Sequence, residues 1–154
     1  MEEDEYKSTY SELASVPCIF EKALVNHRAK CSLSRHFYLA DREGYSCDDA
    51  GSSEICSDIL SRLRKNSVFA LKLHEASGPL PHNMEIRVQA GGLAGVAKSL
   101  ALNDGVQPEQ SLPVDDIHSN IASAIEKYGA LDKLPYSKIV QSVVQFQGRR
   151  RRQR

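Results

Sequence analysis

The chain has 154 residues, 41% of them hydrophobic and 26% charged, which is typical of a soluble globular domain. Its 20 basic and 20 acidic residues cancel, so no overall charge favours nucleic acid or a membrane surface. No apolar run approaches the length of a bilayer span, and the acidic opening MEEDEY is unlike a secretory signal. We therefore predict a cytoplasmic protein with no membrane span, in which cysteines serve metal or redox chemistry rather than disulfides.

The first predicted elements are a lead-in and a helix. Residues 1–16 lack a strong apolar period and are predicted to form a flexible acidic lead-in. Pro17 opens a single helical domain over residues 17–148, whose cysteine-bearing part spans 17–102. Steps of three and four predict a first helix, with one face formed by Ile19, Phe20, Ala23, Leu24, His27 and Cys31.

The middle of the chain is predicted to contain a short apolar stripe, a loop and two further helices. Leu33, Phe37 and Ala40 form the stripe, and GYSCDDAGSS is typical of a loop in which Ser52 or Ser53 caps the next helix. The core-facing stripe of that helix is Cys56, Ile59, Leu60 and Leu63. The segment MEIRVQAGGLAGVAKSLAL then predicts a helix of small residues against which another helix packs closely.

The last third is predicted to form two amphipathic helices over residues 113–148. The first runs from Ile117 to Tyr128 and ends at Gly129, and the second carries its apolar stripe from Ile139 to Phe146. A short link between them predicts an antiparallel pair. The fold class is therefore mostly α, a small helical domain with a C-terminal antiparallel helical hairpin.

All four cysteines fall in the first third of the chain, and no two form a close pair. Twelve, fifteen and eight residues separate Cys18, Cys31, Cys47 and Cys56, which matches no zinc-finger pattern. Lone thiolates from separate elements suit an iron–sulfur cube, which takes one thiolate at each iron. We therefore predict a metal centre held by the four cysteines, a [4Fe–4S] cluster with zinc as the alternative.

The local charge and the position of the first cysteine agree with this interpretation. Cys18 lies at a predicted helix start, where unpaired backbone N–H groups stabilise a thiolate. A surplus of positive charge is predicted to offset the negative charge of a cluster. It comes from Lys22, Arg28, Lys30 and Arg35.

Other interpretations of the cysteines stay open. The thiols could be inert buried groups or sites of redox regulation, since cysteine often behaves as a small hydrophobic residue. His27 could replace one cysteine in a metal site because it lies four residues before Cys31. A nucleophilic pair of Cys31 with His27 or His36 is a further alternative, but no surrounding motif supports it. The sequence assigns no catalytic residue.

The last six residues contain five arginines and are predicted to be disordered until a polyanion orders them. The predicted partner is a larger protein complex or an acidic protein surface, with nucleic acid as an alternative. Aromatic residues make up only 6% of the chain, which gives no clear platform for stacking bases. The candidate partner-binding residues are Arg149, Arg150, Arg151, Arg152 and Arg154.

The runs CIFEKAL, CSLSRHFYLADREGYSC and VQAGGLAG and the arginine-rich ending resemble a group of small proteobacterial proteins that contain cysteine and have no assigned activity. The resemblance covers most of the chain from Cys18 onward and implies a bacterial cytosolic origin. Such sequences often have a cysteine before the Gly-Gly pair, where this chain has Ala90. That position is therefore no required ligand here, which leaves four cysteines for the centre.

Two functions follow from these expectations. The first is an accessory protein that binds a metal, an iron–sulfur cluster in the leading interpretation, and acts in electron transfer, in sensing or as a subunit of a larger complex. The second is a zinc-stabilised or metal-free adaptor that binds nucleic acid or an acidic protein through its arginines.

Overall fold

The structure is a computed structural model that describes residues 2–71, 80–101 and 114–146. Over these ranges the chain is mostly helical, as predicted, but it also contains a small antiparallel sheet of two strands. The helices are α1 (Glu3–Leu13), α2 (Glu21–Val25), α3 (Ala50–Ala70), α4 (His82–Ala101), α5 (Ile117–Tyr128) and α6 (Tyr136–Gln145). The strands are β1 (Ser34–Leu39) and β2 (Arg42–Cys47), and a 3₁₀ turn spans Leu131–Lys133. None of the described helices is long and apolar enough to cross a membrane.

The core is built around α4, which contacts α2, α3, α5 and α6. Its central turns are almost fully buried because every neighbouring helix covers part of its surface. Leu63 of α3, Leu93 of α4 and Ile139 of α6 have at most 1% of their surface exposed and lie in one apolar cluster. Removal of this apolar surface from water is the main stabilising contribution to the fold.

Two glycines of α4 lie directly against the backbone of α6. A Cβ atom at Gly91 would stand 2.8 Å from Val143 Cα, and one at Gly95 would stand 2.7 Å from the carbonyl oxygen of Ile139. Such distances are too short for real carbon contacts, so only glycine permits this approach. The predicted close packing of a second helix on the small-residue helix is therefore observed.

A buried polar network ties α2 and α3 to α4. Glu85 is 4% exposed and accepts hydrogen bonds from Arg64 Nη2 at 2.5 Å and Gln89 Nε2 at 3.0 Å. Burial alone would raise the pKa of Glu85, but the bonds from Arg64 and Gln89 hold that pKa below its ordinary value. The amide oxygen of Gln89 then accepts from the N–H of Ala23 at 3.2 Å, which fixes the short helix α2 on α4.

The apolar stripe from Leu33 to Ala40 continued a helical pattern in the sequence, but the prediction of a helix there is wrong. This stretch forms β1 and the turn into β2. Ala40 adopts a left-handed φ of 55° at the turn. Gly44 pairs with Phe37 across the hairpin, and a Cβ at Gly44 would overlap the Phe37 ring. So few apolar residues, so closely spaced, are compatible with both the helical and the strand period. The sequence pattern alone therefore does not distinguish a helix from a strand here.

The acidic lead-in, predicted as flexible, contains the helix α1. No residue of α1 is buried, yet the helix lies on the hairpin: the Tyr10 and Phe37 rings are 5.5 Å apart, and the Tyr10 hydroxyl donates to Glu21. Arg42 stands over the Tyr6 ring at 4.4 Å. The division into lead-in, helical domain and tail stays a prediction.

Helices α5 and α6 form as predicted, and Gly129 ends α5 in a left-handed conformation with φ of 91°. Their main neighbours differ, however. The most extensive packing of α6 is with α4, followed by α3, whereas α5 packs on α4 and on the 3₁₀ turn. The antiparallel hairpin of α5 and α6 therefore stays a prediction.

We expect Gly95→Ala to destabilise the protein because its methyl group would press on the α6 backbone. Overpacking of this kind costs about 1–3 kcal/mol, and the higher helix propensity of alanine offsets about 1 kcal/mol of it. The free energy of unfolding, measured with urea, should fall by up to about 2 kcal/mol. Gly51→Ala is the control, because the nearest atom to its Cβ is 3.8 Å away. Equal stability of the two variants would contradict the close helix contact.

Candidate functional site: a cavity lined by four thiols

All four cysteines line one cavity with a volume of about 110 Å³. Each comes from a different part of the fold: Cys18 precedes α2, Cys31 precedes β1, Cys47 is the last residue of β2, and Cys56 lies in α3. All four are free thiols and partly buried. Cysteines that are far apart in the sequence are thus brought together by the tertiary fold.

Cys18 and Cys47 are brought together by an extended segment that pairs with β2. Pro17 forms an antiparallel bridge with Ser46. The N–H of Cys18 donates to the carbonyl of Tyr45 at 3.0 Å, and the N–H of Cys47 donates to the carbonyl of Val16 at 2.7 Å. Backbone hydrogen bonds therefore hold these two cysteines as diagonal neighbours, Cys18 opposite Tyr45 and Cys47 opposite Val16.

Cys31 is held at the beginning of α5. The N–H of Lys30 donates to the Val114 carbonyl at 2.9 Å, and the N–H of Ile117 donates to the Lys30 carbonyl at 2.9 Å. On the other side of the cysteine, the N–H and hydroxyl of Ser32 donate to Asp116 Oδ1 at 3.0 and 3.2 Å. Cys31 thus stands between two anchored neighbours that face the first turn of a helix.

Cys56 is positioned by α3, as the sequence predicted. The residues one turn further on, Ile59 and Leu60, are buried, and Cys56 packs against the same core. The predicted capping residues, Ser52 or Ser53, are wrong. Asp49 caps the helix instead, because its carboxylate accepts from the N–H of Ser52 at 3.1 Å.

The rest of the lining is mostly apolar. The hydrophobic lining residues are Ile19, Phe20, Leu33, Ile55, Ile117, Ile121, Ala122 and Ile125. The polar lining residues are Ser34, Ser52, Ser53 and His118. No lysine or arginine among the described residues lines the cavity, so the predicted compensation by positive side chains is not observed. Arg35, for example, pairs with Asp48 at 2.6 Å in an exposed ion pair.

Backbone N–H groups near the sulfurs partly oppose the effect of burial on the thiols. The N–H of Phe20 acts to lower the pKa of Cys18, and the N–H groups of Leu33 and His118 act to lower the pKa of Cys31. The amide of His118 belongs to the first turn of α5, whose unpaired N–H groups carry the positive end of the helix dipole. Hydrogen bonds of this type favour a thiolate over a thiol.

Burial nevertheless extends the pH range over which Cys18, Cys31 and Cys56 stay protonated. It raises the pKa of Cys18 to about 12 and the pKa of Cys56 to about 12, and it also raises the pKa of Cys31. After burial, repulsion between the cysteines raises these pKa values further; Cys56 experiences it from Cys18, Cys31 and Cys47. Several thiolates can therefore coexist in this cavity only if a cation balances them.

The thiols do not form a ready site for a single ion. Within residues 2–71, 80–101 and 114–146, no three side chains of His, Cys, Asp or Glu lie close enough to bind one metal ion. The thiol of Cys47 donates a hydrogen bond to the carbonyl oxygen of Asp49 at 3.2 Å.

The histidines are arranged differently from the prediction. Helix α2 ends at Val25, and His27, which has a left-handed φ of 57°, is exposed and does not line the cavity. The prediction that His27 shares a helix face with Cys31 is therefore wrong. His36 stacks on Tyr45 at 4.7 Å and also does not line it, so neither proposed partner stands beside Cys31 there. His118 does line the cavity. The only sequence signal for this role was its position in the first turn of a predicted helix.

Comparison of the chain with protein-family models, curated proteins and solved structures gives no match. The site must therefore be interpreted from its own chemistry. The predicted partner-binding arginines at 149–152 and 154 lie outside the described residues.

We expect the buried thiols of the metal-free protein to react slowly with iodoacetamide. Only the thiolate is alkylated, and a pKa of about 12 at Cys18 and Cys56 leaves a smaller thiolate fraction at any lower pH than the ordinary value of 9.0 does. Rates at Cys18 and Cys56, measured by mass spectrometry, should therefore still rise with pH above 9.0. The guanidinium-unfolded protein is the control. A rate that levels off near pH 9.0 in the folded protein would contradict the raised pKa values.

Proposed function

We propose that the chain is an iron–sulfur protein whose Cys18, Cys31, Cys47 and Cys56 hold a [4Fe–4S] cluster. The observation that carries this proposal is that four thiols from four different parts of the chain line one cavity. An iron–sulfur cube has four iron corners and takes one thiolate at each of them, so the number of thiols agrees. The chain would act in electron transfer, in sensing or as a metal-stabilised subunit of a larger complex.

The size of the cavity supports a polyatomic group rather than a single ion. A single water needs roughly 10–15 Å³ of such space, and this cavity provides about 110 Å³. Zinc–sulfur bonds of about 2.3 Å bring four tetrahedral ligands within about 4 Å of one another. Each thiolate of a cubane binds a different iron, so its ligands stand farther apart than those of a single zinc ion.

The residues around the cavity would control the environment of the cluster. Apolar side chains such as Phe20 and Ile121 exclude water, and the N–H groups of Phe20, Leu33 and His118 lie where they favour the thiolate form of Cys18 and Cys31. Hydrogen bonds to sulfur and the degree of solvent exposure are two of the factors that set the reduction potential of a cluster. The cluster itself would supply one-electron chemistry.

The outer side of the cavity supports exchange of electrons with a partner. Ile55 is 39% exposed, and Ala122 and His118 are also exposed, so part of the lining reaches the surface. The predicted helical hairpin and the arginines at 149–152 and 154 would dock the chain on a larger complex or an acidic protein. The partner and the cytoplasmic location are part of this proposal.

We expect anaerobic reconstitution with iron and sulfide to give a brown protein with broad visible absorption and about four irons per chain. Cys18→Ser, Cys31→Ser and Cys56→Ser should each lose most of the iron, because each removes an anchored thiolate. Ser57→Ala is a matched control, since Ser57 is an exposed neighbour of Cys56 in α3. Iron and sulfide analysis together with the visible spectrum measures the outcome.

The reconstitution also separates the two functions derived from the sequence. A protein that stays colourless after reconstitution contradicts the iron–sulfur proposal. If that protein instead binds one zinc and binds polyanions in a salt-sensitive way that requires residues 149–154, the adaptor function is favoured.

A further inference from the structure

We propose that the cavity of the metal-free chain is a binding site for a small uncharged apolar molecule, such as a single hydrocarbon ring or a short alkyl chain. The inference does not rest on the iron–sulfur proposal. A cluster and an apolar molecule would occupy the same space, so one chain would hold one or the other. The basis is the surface chemistry of the cavity, its size and the charge around its open side.

The inner wall of the cavity is built from side chains of the hydrophobic core. Phe20 and Ile117 are each 1% exposed and Ile121 is 4% exposed, and all three belong to one apolar cluster. A buried water makes roughly 2–4 hydrogen bonds, which hydrocarbon side chains do not provide. Water is therefore held weakly against this wall, and an apolar molecule that replaces it gains free energy.

The cysteines extend this wall rather than interrupt it. Free cysteine behaves as a small hydrophobic residue, and its thiol is only a weak hydrogen-bond donor and acceptor. Cys18, Cys31 and Cys56 pack against the same apolar cluster as the inner wall. Sulfur is polarisable and makes favourable contacts with aromatic rings. The thiols thus favour an apolar ligand over a polar one.

The volume of the cavity limits the size of the ligand. The cavity holds about 110 Å³, whereas an enclosed cavity of about 150 Å³ lined by Leu, Ile and Phe binds benzene. One small ring or a chain of a few carbons therefore fills most of the space. Ile55, Ala122 and His118 are exposed lining residues, so the cavity is open on their side and a ligand can enter there.

The charges beside this open side disfavour an anionic ligand. The carboxylate of Asp49 accepts from the N–H of Ser52, a lining residue, at 3.1 Å. Asp116 directly precedes α5, whose first residue, Ile117, also lines the cavity. Among the described residues, His118 is the only lining side chain that can carry a positive charge. A carboxylate ligand would therefore be repelled by two carboxylates, whereas an uncharged molecule would not.

The test uses the metal-free full chain, kept reduced, and follows its thermal unfolding by calorimetry with benzene or with the same concentration of benzoate. A ligand that binds only the folded state raises the melting temperature. We expect benzene near saturation to raise it by about 2–4 °C and benzoate to leave it unchanged. No shift with benzene, or an equal shift with benzoate, would overturn the inference.

Two variants locate the binding in the cavity. Ile121→Phe should fill the space and abolish most of the benzene shift. Ala122→Leu should do the same from the open side, and it decides the question if Ile121→Phe does not fold, because Ala122 is exposed. Ser123→Leu is the matched control, since Ser123 is an exposed neighbour on α5 that does not line the cavity. A full benzene shift in folded Ile121→Phe or Ala122→Leu protein would contradict the proposed site.

Iron uptake is a separate measurement, so the two proposals fail independently. A chain that binds benzene but takes up no iron contradicts the iron–sulfur function alone. A chain that takes up iron but does not bind benzene in its metal-free form overturns only the apolar binding site.

Discussion

The site depends first on the pairing of residues 16–18 with the edge of β2. Two backbone hydrogen bonds, from Cys47 to Val16 and from Cys18 to Tyr45, fix the register of the two segments. In this register Cys18 lies opposite Tyr45 and Cys47 lies opposite Val16, so the two cysteines are diagonal neighbours across the ladder.

Contacts between the helices hold the rest of the site in place. Gly91 and Gly95 let α6 lie against α4, and the network of Arg64, Glu85 and Gln89 connects α3, α4 and α2. Because Gln89 accepts from Ala23, the turn that follows Cys18 is tied to the same helix that organises the core. A substitution in the helical core is therefore expected to alter the position of Cys18 through α2.

The periodic helices could be predicted from the sequence, whereas most of the site could not. Buried stripes such as Ile59, Leu60 and Leu63 repeat over many turns and identify α3, but β1 and β2 are six residues each and offer no comparable signal. The four cysteines were identified by their residue type. Their common cavity depends on long-range backbone pairing, which local patterns do not encode. For the same reason, the sequence did not predict that His118 rather than His27 lines this cavity.

The protonated state of the thiols also affects how the metal-free chain reacts with oxidants. A neutral sulfur is a poor nucleophile, so it attacks peroxides and disulfides slowly. Because burial raises the pKa of Cys18, Cys31 and Cys56, these three sulfurs resist oxidation in the metal-free chain. The apolar residues that line the cavity, and that would exclude water from a bound cluster, thus also protect the thiols from oxidation.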